Sequence, residues 1–145
     1  MIILDEPSRR KLDVHHKFHH ETESKGEEIT MKAKNLLAKN LHEDARQVLF
    51  LLCDHWKMTT LEHAKEEENG WYQELADDEE VWPMMLGFRR DHYLLERFMT
   101  DLEAKLIEGE SLVEVIMYAD GFLKLLHYHN ELEEKFLAQM EEETC

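Results

Sequence analysis

The sequence predicts an all-α protein, folded as an up-down-up-down antiparallel four-helix bundle. Apolar residues recur at spacings of three and four, the period of an α-helix, and nowhere alternate as in a half-buried strand. The 145 residues include only five glycines and two prolines, so long helices with short connections are expected. Short connections make neighbouring helices antiparallel. The length suits a single domain covering residues 1–145.

The first two helices are predicted over the N-terminal half. The first spans residues 5–39, with Pro7 in its first turn, where a missing N–H costs nothing. Gly26 is the position at which this helix could bend or break. The second is predicted to begin at Asn40 as its N-cap, because Glu43 follows three residues later as a capping-box partner.

The remaining boundaries follow from glycine, proline and serine. The apolar stripe of the second helix continues to Trp71, and the acidic stretch at 76–80 is predicted to be a loop. The third helix starts around Pro83 and ends at Gly109, and Ser111 then caps the fourth. Helices of about 30 residues are about 45 Å long. An apolar stripe on each would supply one shared core.

Charge and cysteine content exclude several classes of protein. A net charge of −16 argues against a nucleic acid or an anionic membrane as partner. No apolar run approaches the roughly 20 residues needed to cross a bilayer. The two cysteines form no Cys-x-x-Cys motif, which excludes a zinc ribbon and a disulfide scaffold. A cytoplasmic location is therefore expected.

Histidines paired with glutamates are the unusual feature of the chain, which has ten histidines. In His-x-x-x-Glu, both side chains lie on one helix face, one turn apart. His63, His92 and His129 also replace apolar residues in the core stripes, whereas His127 lies about 200° round the helix from His129 and should face outward. The pattern begins at His19, His63, His92, His127 and His129.

Carboxylates on the inner faces need a compensating charge. Burying one without a partner costs several kcal/mol. A metal ion would supply that charge, and a set of buried His⁺/Glu⁻ pairs is the alternative. Counted at about 1.5 Å per residue from the helix ends, the candidate ligands fall in one layer near one end of the bundle, which favours a metal. These candidates are His16, His63, Glu67, His92, Glu96, His129 and Glu133.

The donor types narrow the choice of metal. Imidazole and carboxylate without thiolate suit iron, manganese or zinc rather than copper(I). Seven donors are enough for two ions. Ferritin-like di-iron proteins use Glu-x-x-His, and no histidine in this chain has a glutamate three residues before it.

Each predicted helix carries a segment similar to a motif of one known family. The segments are Leu12-Asp-x-x-His16-Lys17, His63-x-x-x-Glu67, His92 and His129-Asn-Glu-Leu-Glu133-Glu134-Lys-Phe-Leu. Together they resemble the hemerythrin-like, or HHE cation-binding, domain over essentially the whole chain. The resemblance implies two iron ions in a non-heme di-iron centre, bridged by one or two carboxylates and an oxygen species.

The chain departs from the oxygen-carrying hemerythrins at two helices. Those proteins have a second histidine where this chain has Glu96, which is either a ligand or a solvated neighbour of the site. Their fourth-helix pair ends in an aspartate one residue beyond the position of Glu133. A second ligand on the first helix is also open, with His19 and His20 as candidates beside His16.

The resemblance implies a binding protein that takes up O2 or NO for sensing, storage or iron and redox homeostasis. A di-iron redox enzyme that reduces O2 or peroxide is the alternative. Glu96 would favour it as a ligand, because an anionic donor stabilises ferric over ferrous iron. A metal-free helical interaction domain is a third reading. Whether the protein is an enzyme and whether it has a protein partner stay open.

Overall fold

The described part of the chain is a bundle of helices, as predicted. The computed structural model describes the backbone of residues 6–109 and 111–143, and side chains over 12–109 and 111–140. No strand occurs in these ranges. A π-helical turn, Lys57–Leu61, joins the second and third helices. The helices are α1 (Glu6–Ala38), α2 (His42–Trp56), α3 (Glu62–Asn69), α4 (Trp71–Glu74), α5 (Trp82–Ile107) and α6 (Leu112–Glu143).

Two apolar clusters fill the interior and leave a polar layer between them. α1 packs on α2 and α6, and α5 packs on α6 and α2. The larger cluster contains Leu95 and Leu126, and the smaller one contains Phe88 and Phe136. Along α5 and α6 the stripe between these residues is occupied by polar side chains. No helix over the described ranges has the length and apolar character of a membrane span.

The connection from α1 to α2 differs from the prediction. Asn40 has a φ of 59°, so it is not the N-cap of α2 but the left-handed residue that ends α1. Its N–H donates to Leu37 O at 2.9 Å, and the N–H of Leu41 donates to Leu36 O at 3.0 Å. This is the Schellman arrangement, in which asparagine tolerates the left-handed conformation. Sequence spacing alone had matched a capping box by coincidence.

The other boundaries are close to those predicted. The helical segment after Asn40 ends at Asn69, just before Gly70, and Trp71 starts the short α4. Pro83 lies in the first turn of α5, and Gly109, with a φ of 75°, follows the end of that helix.

Gly26 does not break α1, which is continuous from Glu6 to Ala38. Its role is to allow α1 to approach α2 closely. A Cβ atom at Gly26 would lie 2.1 Å from two ring atoms of Trp56. Trp56 is fully buried at the end of α2 and packs on Phe122, with ring centroids 4.8 Å apart. The glycine therefore lets α1 lie against the largest side chain of the core.

We expect Gly26→Ala to lower the free energy of unfolding by about 1–3 kcal/mol, the usual cost of overpacking a filled site. Gly87 in α5 is the matched control, since a Cβ there meets nothing within 4 Å. Gly87→Ala should be neutral or stabilising by up to about 1 kcal/mol through helix propensity. Urea denaturation followed by circular dichroism measures both, and equal midpoints would contradict the contact.

Candidate metal centre

The polar layer brings five imidazoles and two carboxylates together between α1, α3, α5 and α6. Histidines at positions i and i+4 on α1, and His-x-x-x-Glu on α3 and α6, place their side chains on one helix face. All are buried except His63, which is partly buried. The cluster consists of His15, His19, His63, Glu67, His92, His129 and Glu133.

Glu67 is the centre of one set of contacts. Its Oε2 lies 3.2 Å from Nε2 of His15 and 3.6 Å from Nε2 of His63. Its Oε1 lies 3.5 Å from Nε2 of His92. The two oxygens of this carboxylate therefore face different histidines.

Glu133 is arranged in the same way. Its Oε1 lies 3.5 Å from Nε2 of His19, and its Oε2 lies 3.1 Å from Nε2 of His129. Nε2 of His129 is also 3.2 Å from Nε2 of His92, so these two imidazoles converge on one point. Each carboxylate thus has one oxygen on the α1 side of the cluster, where His15, His19 and His63 lie. Its other oxygen is on the α5–α6 side, where His92 and His129 lie.

Six of the seven side chains, all except His19, form two overlapping groups that could each hold a metal ion. Within each group the potential ligand atoms lie within 4.8 Å of one another. The groups share both carboxylates, so Glu67 and Glu133 could each contribute an oxygen to either group. One group is His15, His63, Glu67 and Glu133, and the other is Glu67, His92, His129 and Glu133.

Carboxylates outside the cluster orient the imidazoles. Nδ1 of His129 donates to Oδ2 of Asp91 at 2.9 Å, and Nδ1 of His92 donates to Oε2 of Glu68 at 3.3 Å. Such bonds fix the tautomer of a metal-binding histidine and leave Nε2 free to bind the metal. Both histidines therefore direct Nε2 into the cluster, where it can bind a metal once it carries no proton.

Burial and charge set the protonation of the cluster. Burial lowers the pKa of His19 to about 3 and the pKa of His63 to about 4, so both imidazoles are neutral at pH 7. Burial and the charge of Glu67 raise the pKa of Glu133. Burial opposes charge on His129, but its bonds to Asp91 and Glu133 raise its pKa to about 10. A metal would displace the proton held there.

Unsatisfied polar atoms test whether a cation fits. Among the described residues, Nε2 of His63 and Oε1 of Glu133 are buried without a hydrogen-bond partner. Each such atom costs about 1–3 kcal/mol. Both atoms lie within the cluster, where a cation between them would be bound by a nitrogen lone pair and a carboxylate oxygen. The donor set therefore fits a metal better than it fits a self-contained hydrogen-bond network.

The prediction for the first helix was one residue out of register. His16 is exposed and forms an ion pair with Glu134, whereas His15 lies in the cluster. The buried face of α1 continues through Thr22 and Gly26, which are not apolar residues. Leu12 packs on the smaller apolar cluster, and the buried histidines lie three and seven residues after it, so the prediction failed by choosing His16 instead of His15. Of the two further candidates, His19 is buried and His20 is exposed.

Glu96 also lies outside the cluster. Its side chain is exposed, one residue from the fully buried Leu95. The four-residue spacing that keeps Glu67 and Glu133 inside does not do so here, because the buried stripe of α5 continues through Leu95 and Met99. The structure thus favours the second of the two alternatives, a solvated neighbour. Of the seven predicted residues, it brings together His63, Glu67, His92, His129 and Glu133.

Tyr72 was not predicted from the sequence. Its hydroxyl donates to Oε2 of Glu133 at 2.5 Å and lies 3.3 Å from Nε2 of His92. Burial and the charges of Glu133 and Glu67 raise its pKa above the ordinary value for tyrosine. The periodic pattern of the second helix pointed to Trp71, and only the separate α4 turns the next residue inward.

A small cavity adjoins the cluster. Its volume is about 10 Å³, close to the lower limit for one water molecule. Its remaining walls are Phe18, Thr22, Thr60, Leu95, Leu126 and Asn130. One water molecule is therefore about the largest occupant that this space could take without rearrangement.

Comparisons of the chain with protein-family models, curated proteins and solved structures find no match. The resemblance to hemerythrin-like domains therefore depends on the motif residues alone. What the site does has to be inferred from its own geometry and charge.

We expect His15→Ala to bind less iron than the wild type and His16→Ala to bind as much. The same contrast is expected between His129→Ala and His127→Ala, because His127 is exposed. Loss of an inner imidazole should lower affinity by at least the 10–100-fold seen when an outer partner is removed. Each variant is equilibrated anaerobically with ferrous iron, desalted and analysed for iron. Equal loss within either pair would show that the inward face has been misassigned.

Proposed function

We propose that the protein is a non-heme di-iron binding protein of the hemerythrin type, with Glu67 and Glu133 bridging the two ions. The observation that carries this proposal is the sharing of both carboxylates by two four-residue donor groups. Imidazole nitrogen and carboxylate oxygen are ligands that iron accepts readily. The resemblance of the sequence motifs points to the same metal.

Unsatisfied polar atoms support a metal over a structural cluster. Two carboxylates in contact inside a protein repel each other and lose their hydration. Protonated His129 compensates one of them and the raised pKa of Glu133 favours a proton on the other, whereas His19 and His63 stay neutral because burial lowers their pKa values. These protons leave Nε2 of His63 and Oε1 of Glu133 without partners, and a cation would satisfy both atoms.

The ligand best suited to this site is O2 or NO. When bound, iron supplies the open coordination position and the redox chemistry that such molecules require. Phe18, Leu95 and Leu126 give the adjoining cavity apolar walls, and its volume of about 10 Å³ favours the smallest ligands. Binding for sensing or storage therefore fits the walls of the site.

The position of Glu96 removes the main argument for the redox-enzyme alternative. Glu96 is exposed and does not add a negative charge to the cluster. The two described donor groups contain four imidazoles and two carboxylates, with His19 as a fifth imidazole beside them. Since neutral donors stabilise ferrous iron more than carboxylates do, the excess of imidazoles in these two groups supports ligand binding.

We also infer an up-down-up-down order for the four long helical segments. Contacts between neighbouring segments support it, because residue numbers rise along one partner as they fall along the other. Between α1 and α6 the pairs are His16–Glu134 and Lys34–Asp120, and between α5 and α6 they are Asp91–His129 and Lys105–Glu114.

We expect two iron ions per chain after anaerobic loading with ferrous iron and desalting. Elemental analysis of the purified protein gives the count. Glu133→Gln removes one bridging charge and should bind at most one ion, whereas Glu96→Gln changes an exposed residue and should keep two. The loaded wild type is then titrated with NO, and a visible absorbance change that saturates and reverses under vacuum is expected.

One ion or none in the wild type would overturn the di-iron proposal. Two ions with no response to NO would overturn NO as the proposed ligand and leave the proposed di-iron centre standing. An irreversible change on mixing with O2, with consumption of more than one equivalent, would favour the redox enzyme.

Removal of the metal should lower the melting temperature while helix content is largely kept. Ligand that binds only the native state stabilises it by about 2.7 kcal/mol at one hundred times Kd. The larger apolar cluster, which includes Leu49 and Leu102, lies away from the site and should hold the helices together. Calorimetry and far-ultraviolet circular dichroism, before and after chelation, measure the two effects. Identical melting temperatures would speak against specific binding.

A further inference from the structure

Tyr72 places a phenolic oxygen among the donors of the α5–α6 side. The oxygen lies 2.5 Å from Oε2 of Glu133 and 3.3 Å from Nε2 of His92. At metal–ligand distances of about 2.0–2.2 Å, neighbouring ligand atoms on one ion are about 3 Å apart. The hydroxyl therefore stands at the spacing expected of a ligand to the ion between His92 and His129.

The ring of Tyr72 is held in this position from several sides. It stacks on His92 with centroids 5.4 Å apart and an interplanar angle of 9°. Trp71 and Phe88 contact its other surfaces, with centroid distances of 4.5 and 5.9 Å. Only 1% of the residue is exposed. This packing holds the ring with its oxygen facing the cluster.

The turn that delivers Tyr72 depends on Gly70. This glycine separates α3 from α4, and a Cβ at this position would approach the carbonyl oxygen of Glu66 to 2.9 Å. Without the turn, α3 would continue and carry position 72 away from the face of Glu67, since five residues along a helix rotate by about 140° from that face.

The two sides of the cluster show why this donor matters. On the α1 side, His19 adds an imidazole to His15 and His63, next to Oε1 of Glu133. On the other side, no third imidazole is present among the described residues. Tyr72 faces Oε2 of Glu133 at the corresponding place.

We propose that the hydroxyl oxygen of Tyr72 binds the metal ion held by His92 and His129. This assignment rests on the proposed di-iron function. As the oxygen–metal bond forms, the O–H bond breaks and its proton is released to solvent, as is usual when a protic ligand binds a metal. The resulting phenolate makes the two ions unequal, because one has three imidazoles and the other has two imidazoles and an anionic oxygen.

A hydrogen bond from Tyr72 to Glu133 without metal ligation is the competing role. A phenolate bound to ferric iron absorbs visible light by charge transfer from oxygen to metal, and a phenol that only donates a hydrogen bond does not. The wild type is loaded with ferrous iron, oxidised in air and measured for iron content and visible absorbance. We expect a charge-transfer band that is lost in Tyr72→Phe.

Tyr93→Phe is the matched control, because Tyr93 lies next to His92 in the sequence but is 52% exposed. It should keep both the irons and the band. Resonance Raman spectroscopy of the wild type, with ring-deuterated tyrosine, gives a second readout. Tyrosine ring modes enhanced by excitation in the band should shift with deuteration. This measurement uses the wild type, so it still tests the proposal if Tyr72→Phe folds poorly or loses iron.

The outcomes separate the two proposals. A wild type that binds no iron overturns both. Two ferric ions without a charge-transfer band or tyrosine modes would overturn the role of Tyr72 and leave the di-iron centre standing. An unchanged band in Tyr72→Phe would also overturn the role of Tyr72. Loss of the band in Tyr93→Phe would overturn it too, because it would assign the bound phenolate to Tyr93.

Discussion

The burial of Glu67 against Glu133 is the costliest feature of the interior, and the polar layer is arranged around it. Glu67 is 4% exposed and Glu133 is fully buried, so water hydrates neither carboxylate, and the pKa of Glu133 is raised. Such a pair costs several kcal/mol unless cations or protons compensate it. Five imidazoles directed at these two carboxylates, with Asp91 and Glu68 behind two of them, make the layer a site prepared for positive charge.

The apolar clusters on either side give this layer its shape. Phe88 and Phe136 close one side, and Leu95 and Leu126 close the other. Each replaces water that would otherwise screen the carboxylates, and so strengthens their interaction with any positive charge in the layer. The close packing of Gly26 on Trp56 holds α1 near enough for its histidines to reach Glu67 and Glu133.

The two sides of the cluster differ in access as well as in donors. A groove of about 300 Å³, lined by His15, His63, Phe18 and Met58 among others, reaches the α1 side from the surface. The α5–α6 side is covered by Trp71 and Tyr72. Exchange of small molecules with solvent is therefore easier at the α1 side, while Tyr72 and His129 form the more enclosed half.

The sequence by itself determined what depends on local spacing. The helices follow from the apolar period, and the shared face of His63 and Glu67, or of His129 and Glu133, follows from a four-residue separation. Tertiary structure decided which face of α1 turns inward, because small polar residues such as Thr22 line it and periodicity detects only apolar ones. It also decided the position of Tyr72, since a break at Gly70 ends the helical period and only packing against His92 sets where the ring lies.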